Sequence, residues 1–206
     1  MAGIVDYASL KTSITNWTHR ADLATDVDTM IQMVENELNR ELRTRAMDTV
    51  VVINTTGSNL PLPSDYQQAR NVELQGSPVI PLRYVTPEQR DLYDLQTSVG
   101  QPRLYTIRGQ NLILAPTPDQ IYQCNFEYYA QIPTLVGGAN TTNWLLNSFP
   151  DCYLFGCLVM SLGWAQNPLA EKWVQMYEKV KSDVNRIDDD STYAGSVVRL
   201  RPDQGW

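Results

Sequence analysis

The stretch IYQCNFEYY, residues 121–129, decides the fold class of this 206-residue chain. Larger side chains alternate along it with polar ones, Tyr122, Cys124, Phe126 and Tyr128 against Gln123, Asn125 and Glu127. Successive side chains of a strand point to opposite faces of a sheet, so the alternation predicts a strand with one buried and one solvated face. Such strands are typical of antiparallel sheets.

Upstream of this strand, from Asp48 onward, the chain carries most of its prolines and several short runs rich in Val, Ile, Leu and Tyr. Turn residues separate these runs, which is the pattern of antiparallel strands. In TPEQRDLYDLQ, Thr86 and Gln89 form a capping box around Pro87, so one short helix interrupts the strands. We therefore predict a β-rich region over residues 48–147.

Helical periodicity marks the first 47 residues instead. The first helix carries Tyr7, Leu10, Ile14 and Trp17 behind Asp6 as a candidate N-cap, and the second carries the stripe Val27, Met30, Ile31, Val34, Leu38 and Leu42. Both sets recur at helical spacing. Arg40, Arg43 and Arg45 favour the C-terminal end of the second helix electrostatically. Residues 1–47 are thus predicted to form a helical hairpin.

The helical period returns near the end of the chain. A run that is apolar on nearly every side predicts a buried helix that starts at Ser148 or Pro150 and continues to Trp164. An amphipathic helix from Asn167 to Ile187 follows it. The order of helices, strands and helices predicts an α+β fold, in which residues 148–190 complete a helical bundle around the inserted antiparallel β region.

Composition excludes several classes of protein. The 23 acidic residues outnumber the 16 basic ones and give a net charge of −7. This charge is opposite in sign to that of a surface that binds nucleic acid tightly. Three cysteines are too few for a disulfide framework, and we interpret them as reduced core residues. The N-terminus lacks a signal peptide, which predicts production in a cytoplasm. The longest apolar run, 13 residues, is too short for a membrane span.

Candidates for catalysis are few. A Ser-His-Asp or Cys-His site would have to use His19, the single histidine, and its place at a helix C-terminus favours the protonated imidazole. The run Asp188 to Asp190 could bind a hard cation and serve a metal-dependent hydrolase, but it is also a simple solvated end to the last helix. We predict no enzyme, no cofactor and no metal site.

A binding module is the alternative of a different class. The aromatic residues Tyr122, Phe126, Tyr128 and Tyr129 could stack on a carbohydrate or contact a peptide. Packing within the sheet accounts for at least half of them.

The last segment, 191–206, ends in SVVRLRPDQGW. Within the stretch Ser196–Trp206, burying the four large apolar side chains is worth roughly 6 to 12 kcal/mol, whereas ordering the 11 residues costs about 1 to 2 kcal/mol each. We therefore predict an extended tail that folds only as a strand added to a partner protein. The side chains assigned to that contact are Val197, Val198, Arg199, Leu200, Arg201 and Trp206.

Six stretches of the chain carry a resemblance to a known family. They are, in order, YASLKTSITNWTHRADL, ENELNRELRTRAM, LPLPSDY, GQPRLYTIRGQNLILAPTPD, YYAQIPTLVGGANTTNWLLNSFPDCYLFG and the closing VVRLR. As an ordered set that covers nearly the whole chain, they resemble the head-to-tail adaptor, or connector, proteins of tailed bacteriophages, particularly short-tailed phages.

The resemblance implies a virion structural protein with no enzymatic residues. Such adaptors form a dodecameric ring below the portal after genome packaging, at the neck between head and tail. The ring extends the channel through which double-stranded DNA leaves, without reading its sequence, and presents a platform to tail nozzle or fibre proteins. The protein would be made in the host cytoplasm and would not enter a membrane.

A ring of this kind assigns roles to two parts of the chain. The tail becomes the expected contact with the portal. A cyclic ring joins one flank of each subunit to the opposite flank of the next, so two distinct flanks are needed. The second N-terminal helix and the last helix offer these polar flanks. On the second helix the candidates for this contact are Glu37, Arg40, Arg43 and Arg45.

Overall fold

A computed structural model describes residues 3–94, 99–137, 140–161 and 170–193 of the chain. The chain divides into two compact units. The helical unit comprises the described residues of Met1–Ala46 and Ile132–Trp206, and the strand unit is Met47–Gln131. Helices and antiparallel sheets together make this an α+β protein, as predicted.

The helices are α1 (Tyr7–Thr18), α2 (Val27–Glu41), α3 (Pro87–Asp94), α4 (Trp144–Ser148), α5 (Pro150–Met160) and α6 (Ala170–Tyr193), with short 3₁₀ helices at Ala21–Thr25 and Arg45–Met47. The strands are β1 (Asp48–Asn54), β2 (Asn59–Pro61), β3 (Tyr66–Leu74), β4 (Ile80–Pro81), β5 (Arg83–Tyr84), β6 (Leu104–Arg108), β7 (Asn111–Ala115) and β8 (Gln123–Ala130).

The strand unit consists of two four-stranded sheets, with strand orders β1-β8-β3-β4 and β2-β7-β6-β5. Strand β8 is central in its sheet, and Phe126 lies opposite Val51 of β1 and Val72 of β3. The predicted alternation is confirmed, because Cys124, Phe126 and Tyr128 are buried. Side chains from both sheets form one apolar core, as expected when two half-buried sheets pack face to face.

Neighbouring strands in the described part of the chain are antiparallel with one exception. Strand β5 pairs with β6 in parallel, through Arg83 with Leu104 and Tyr84 with Tyr105. The short helix α3 follows β5 and lies near β6 and β7. Its predicted capping box is confirmed, since the Thr86 amide donates to Gln89 Oε1 at 3.2 Å and the Gln89 amide donates to Thr86 Oγ1 at 3.4 Å.

In the helical unit, α5 packs against α1, α2, α4 and α6. The apolar stripe predicted for α2 is confirmed, as all six of its residues are buried. Gly156 lies where α5 meets two other helices, and a Cβ added there would stand 2.9 Å from Val34 Cγ1 and 3.0 Å from Tyr177 Cε2. The close approach of α2 and α6 to α5 therefore depends on the missing side chain at this position.

Polar side chains fix helix α1 in two places, at its N-terminus and on the side that faces α2. Asp6 caps it as predicted, accepting a hydrogen bond from the Ser9 amide at 2.8 Å. The Asp28 carboxylate of α2 lies 2.7 Å from Lys11 Nζ and accepts from the Tyr7 hydroxyl at 2.6 Å. The Lys11 ammonium, together with the Tyr7 hydroxyl, lowers the pKa of Asp28 below its usual value.

The helices near the C-terminus differ from the sequence prediction in two respects. Of the two residues expected to start the long apolar helix, Pro150 is confirmed. Ser148 is instead the last residue of the separate helix α4, which Asn143 caps. Pro150 then occupies the first turn of α5, where its missing amide hydrogen is not needed. The predicted helix end at Trp164 and the predicted start at Asn167 lie outside the described residues.

Helix α6 also continues through the run Asp188 to Asp190 as far as Tyr193, so its predicted end at the acidic run is wrong.

None of the helices in the described ranges combines the length and hydropathy that a membrane span requires.

Candidate functional site

The six side chains predicted to contact a partner through the tail, Val197, Val198, Arg199, Leu200, Arg201 and Trp206, lie outside the described residues. Helix α6 ends at Tyr193, before this segment in the chain. Of the four residues expected at subunit contacts, Glu37 and Arg40 lie on α2. The prediction that Arg43 and Arg45 also lie on this helix is wrong, because α2 ends at Glu41. The polar groups of α2, of the segment that follows it and of α6 therefore define the candidate site.

Arg45 connects the end of α6 to the segment that follows α2. Its backbone amide donates to Asp188 Oδ1 at 3.0 Å, and its Nε donates to the same oxygen at 3.4 Å. The guanidinium also donates to the Ser191 carbonyl oxygen at 3.3 Å and to the Ser191 hydroxyl. These bonds fix the last turns of α6, from which the tail continues, to a neighbouring part of the subunit.

The same contacts explain why the acidic run does not end α6. Carboxylates near a helix C-terminus oppose the helix dipole unless cations compensate them. Arg45 compensates Asp188, whose side chain is 19% exposed, and Arg186 lies 3.3 Å from Asp190. The interpretation of the run as a solvated stop is thus corrected for Asp188, which binds another part of the chain.

Glu37 belongs to an ion cluster between α2 and α6. The Lys181 ammonium lies 3.2 Å from Glu37, 2.9 Å from Glu41 and 2.9 Å from Glu178. Burial alone would lower the pKa of Lys181, but the hydrogen bonds from the ammonium to these carboxylates outweigh burial and raise it above its ordinary value. The cluster ties α6 to α2 and carries more negative than positive charge.

The two remaining candidates for the subunit interface, Arg43 and Arg40, differ in their surroundings. Arg43 donates to the carbonyl oxygens of Asn39 at 2.8 Å and Leu42 at 2.5 Å, so it satisfies carbonyl groups at the end of α2. Arg40 is exposed on the surface of α2.

A buried carboxylate that the sequence analysis did not single out lies on the inner side of α2. Glu35 is 3% exposed, and it accepts hydrogen bonds from the Leu135 amide at 2.8 Å and the Thr134 hydroxyl at 2.7 Å. The Tyr153 hydroxyl of α5 donates to it more weakly, at 3.4 Å. Glu35 therefore holds the loop after β8 against α2.

Two amide side chains extend this network. Asn39, one turn after Glu35, accepts from the Ile132 amide at 2.8 Å. Asn143 donates to the Pro133 carbonyl oxygen at 2.8 Å and to the Tyr153 hydroxyl at 2.7 Å. A signal for Glu35 was present in the sequence, because it lies four residues after Ile31 and three before Leu38, within the buried stripe.

Groups suited to catalysis are placed in structural roles. His19 is exposed and forms the C-cap of α1 in the left-handed conformation, with a φ of 51°. All three cysteines are buried and unpaired, as predicted. Burial raises the pKa of Cys124 to about 11 and that of Cys152 to about 12, so neither is a thiolate at neutral pH. Among the described residues, no group of three or more His, Cys, Asp or Glu side chains is arranged to hold a metal ion.

The aromatic residues considered for ligand binding are mostly used within the sheet. Phe126 and Tyr128 are buried and stack on each other with ring centroids 5.2 Å apart. The Tyr122 hydroxyl donates to Asp119 at 2.7 Å, and the Tyr129 ring lies under the Arg70 guanidinium, 5.2 Å away. This set does not form an open aromatic platform.

Comparison with known proteins gives a match over nearly the whole chain. The family model described as SU10 adaptor protein matches residues 5–201, a range that includes both units and the stretch VVRLR. No curated protein sequence matches the chain. The resemblance to phage adaptors is thereby confirmed. The chain belongs to the SU10 adaptor protein family, a family of phage head-to-tail adaptors.

Proposed function

We propose that this protein forms the ring that joins the head of a bacteriophage to its tail. In this role it binds below the portal, extends the DNA channel and provides the platform to which the tail nozzle or fibres attach. The observation that carries the proposal is the family match over residues 5–201. The proposed place of the protein in the phage is the virion neck.

A purely structural role agrees with the chemistry of the described residues. The buried thiols have raised pKa values, and the single histidine serves as a helix cap. A net charge of −7 also suits a conduit, since an acidic wall does not hold the DNA polyanion as it passes. The proposal therefore includes no enzymatic activity and no sequence-specific DNA binding.

We assign the portal contact to Val197, Val198, Arg199, Leu200, Arg201 and Trp206. Two observations support this assignment. The apolar and aromatic content of the segment is high for a tail without a core of its own. The turn of α6 that precedes it is bound to Arg45 through Asp188 and Ser191. In a ring, many such tails face many equivalent sites, so weak individual insertions hold firmly together.

Deletion of residues 197–206 tests this assignment. We expect a soluble, folded chain whose unfolding free energy changes by less than about 0.5 kcal/mol, but which no longer assembles on the matching portal ring. Native mass spectrometry and negative-stain images of the mixture measure the assembly, and urea unfolding measures stability.

A full-length variant with Arg199→Glu and Arg201→Glu serves as the matched control, since it keeps the length of the tail. We expect portal binding to weaken in this variant while folding is retained. Undiminished assembly of the deletion variant on the portal contradicts the assignment. Unfolding of that variant also contradicts it, because it shows that the tail packs within its own subunit.

A further inference from the structure

Two charged stripes run side by side along the exposed part of α6. The basic stripe is Lys172, Lys179 and Arg186, and the acidic stripe is Glu171 and Glu178. All five side chains are exposed. Members of each stripe are seven residues apart, which is about two helical turns or 10.5 Å. The buried face of α6, which includes Trp173 and Tyr177, points away from both.

The stripes give α6 two edges of opposite charge. Next to the acidic stripe, Glu37 and Glu41 of α2 share the Lys181 ammonium with Glu178, so three carboxylates meet one cation. On the other edge, Lys172 and Lys179 have no ion-pair partner among the residues that the structure describes. The two edges are therefore complementary to each other but not neutralised within the subunit.

We propose that neighbouring copies of this chain meet through these edges, Lys172 and Lys179 of one copy facing Glu171 and Glu178 of the next. The proposal rests on the ring described under Proposed function. In a cyclic ring, equivalent residues of all copies lie at the same height along the ring axis. When α6 runs along that axis, the height of position 171 in one copy differs by only about 1.5 Å from the height of position 172 in the next copy. Both charge pairs then form in register.

A second copy fits these edges better than DNA does. Exposed apolar side chains accompany the stripes, with Val174 40% exposed and Ile187 45% exposed. Such side chains gain from burial in a protein interface and have no counterpart on a phosphate backbone. Arg186, the third member of the basic stripe, is already paired with Asp183 and Asp190. The edge is thus a poor DNA-binding surface.

Charge exchange between two variants tests the interface. Variant A carries Lys172→Glu and Lys179→Glu, which makes both edges acidic, and variant B carries Glu171→Lys and Glu178→Lys, which makes both edges basic. We expect neither variant alone to form complete rings on the matching portal. An equal mixture should restore rings in which A and B alternate, with a 1:1 ratio in native mass spectrometry.

Two further variants serve as controls. The first carries Glu171→Lys and Glu178→Gln in place of the changes in variant B. It avoids a second positive charge beside Lys181. Arg83→Glu with Arg103→Glu makes the same change in net charge as variant A, but in the strand unit, and should leave ring formation unchanged. Circular dichroism and urea unfolding confirm that each variant is folded.

The outcomes separate this interface from the proposed function. If the wild-type chain assembles on the portal and variant A forms complete rings equally well, the interface is wrong and the function stands. The same conclusion follows if the mixture restores nothing, or if variant A forms normal rings but changes DNA retention. If the wild-type chain does not bind the portal at all, both proposals fail.

Discussion

Replacing Glu35 by alanine is expected to lower the free energy of unfolding by about 3 to 4 kcal/mol. The carboxylate accepts from the Leu135 amide at 2.8 Å and from the Thr134 hydroxyl at 2.7 Å. Hydrogen bonds to a charged group contribute about 1.5 to 3 kcal/mol each, and a buried amide left without an acceptor costs about 1 to 3 kcal/mol. Alanine removes both bonds and leaves the Leu135 amide unpaired.

Two variants calibrate this prediction. Glu35→Gln keeps the size of the side chain and one acceptor oxygen, so we expect a loss of only about 1 kcal/mol. Glu171→Ala makes the same truncation at an exposed position of α6 and should change stability by less than about 0.5 kcal/mol. Urea unfolding followed by circular dichroism measures all three variants. A loss for Glu35→Ala as small as that for Glu171→Ala would show that the carboxylate does not hold the loop.

Gly156→Ala is expected to destabilise the helical unit by about 2 kcal/mol. A new Cβ would lie 2.9 Å from Val34 Cγ1 and 3.0 Å from Tyr177 Cε2, closer than such contacts allow. Overpacking of a core costs roughly 1 to 3 kcal/mol, and the upper end applies here because the methyl group meets two helices at once. The better helix propensity of alanine returns about 1 kcal/mol.

A double mutant isolates the steric cause of this loss. Val34→Ala removes the two methyl groups nearest to the new Cβ, so the two changes together should cost at least about 1 kcal/mol less than the sum of the single changes. Gly57→Ala is the control, since nothing lies within 4 Å of a Cβ at that position. Urea unfolding measures the cycle. Additive losses, or a Gly156→Ala variant as stable as the wild type, would contradict the packing described for α5.

The elements that sequence reasoning predicted correctly are those in which local pattern and tertiary burial agree. The stripe of α2 and the alternation of β8 each repeat with the period of their element, and burial follows that period. The caps at Asp6 and Thr86 were predictable because they depend on side chains only three residues apart.

Other features depend on distant residues and left no local pattern. The carboxylate of Asp188 was interpreted as solvated because its partner, Arg45, is 143 residues away in sequence. Helix α4 was missed because Asn143 and Pro150 mark two helix starts within one apolar stretch, and only the packing separates them. Gly156 illustrates the same limit, since its role is set by Val34 and Tyr177 on other helices.

The candidate site was only partly predictable from the sequence. Residue types on α2 and just after it indicated a polar surface. The sequence did not reveal that Glu37 binds Lys181 and that Arg45 binds Asp188 within the same subunit. Glu35 was overlooked because a carboxylate inside an apolar stripe is unusual unless a loop supplies its donors. The loop that does so, around Leu135, is 100 residues away.

An electron cryo-microscopy reconstruction of the neck, made from this chain and its matching portal, tests the central proposal most directly. We predict a closed ring of copies of this chain below the portal, with residues 197–206 of each copy bound to it and α6 of each copy beside that of the next. A portal without such a ring, or a ring in which the tails do not reach the portal, would contradict the account.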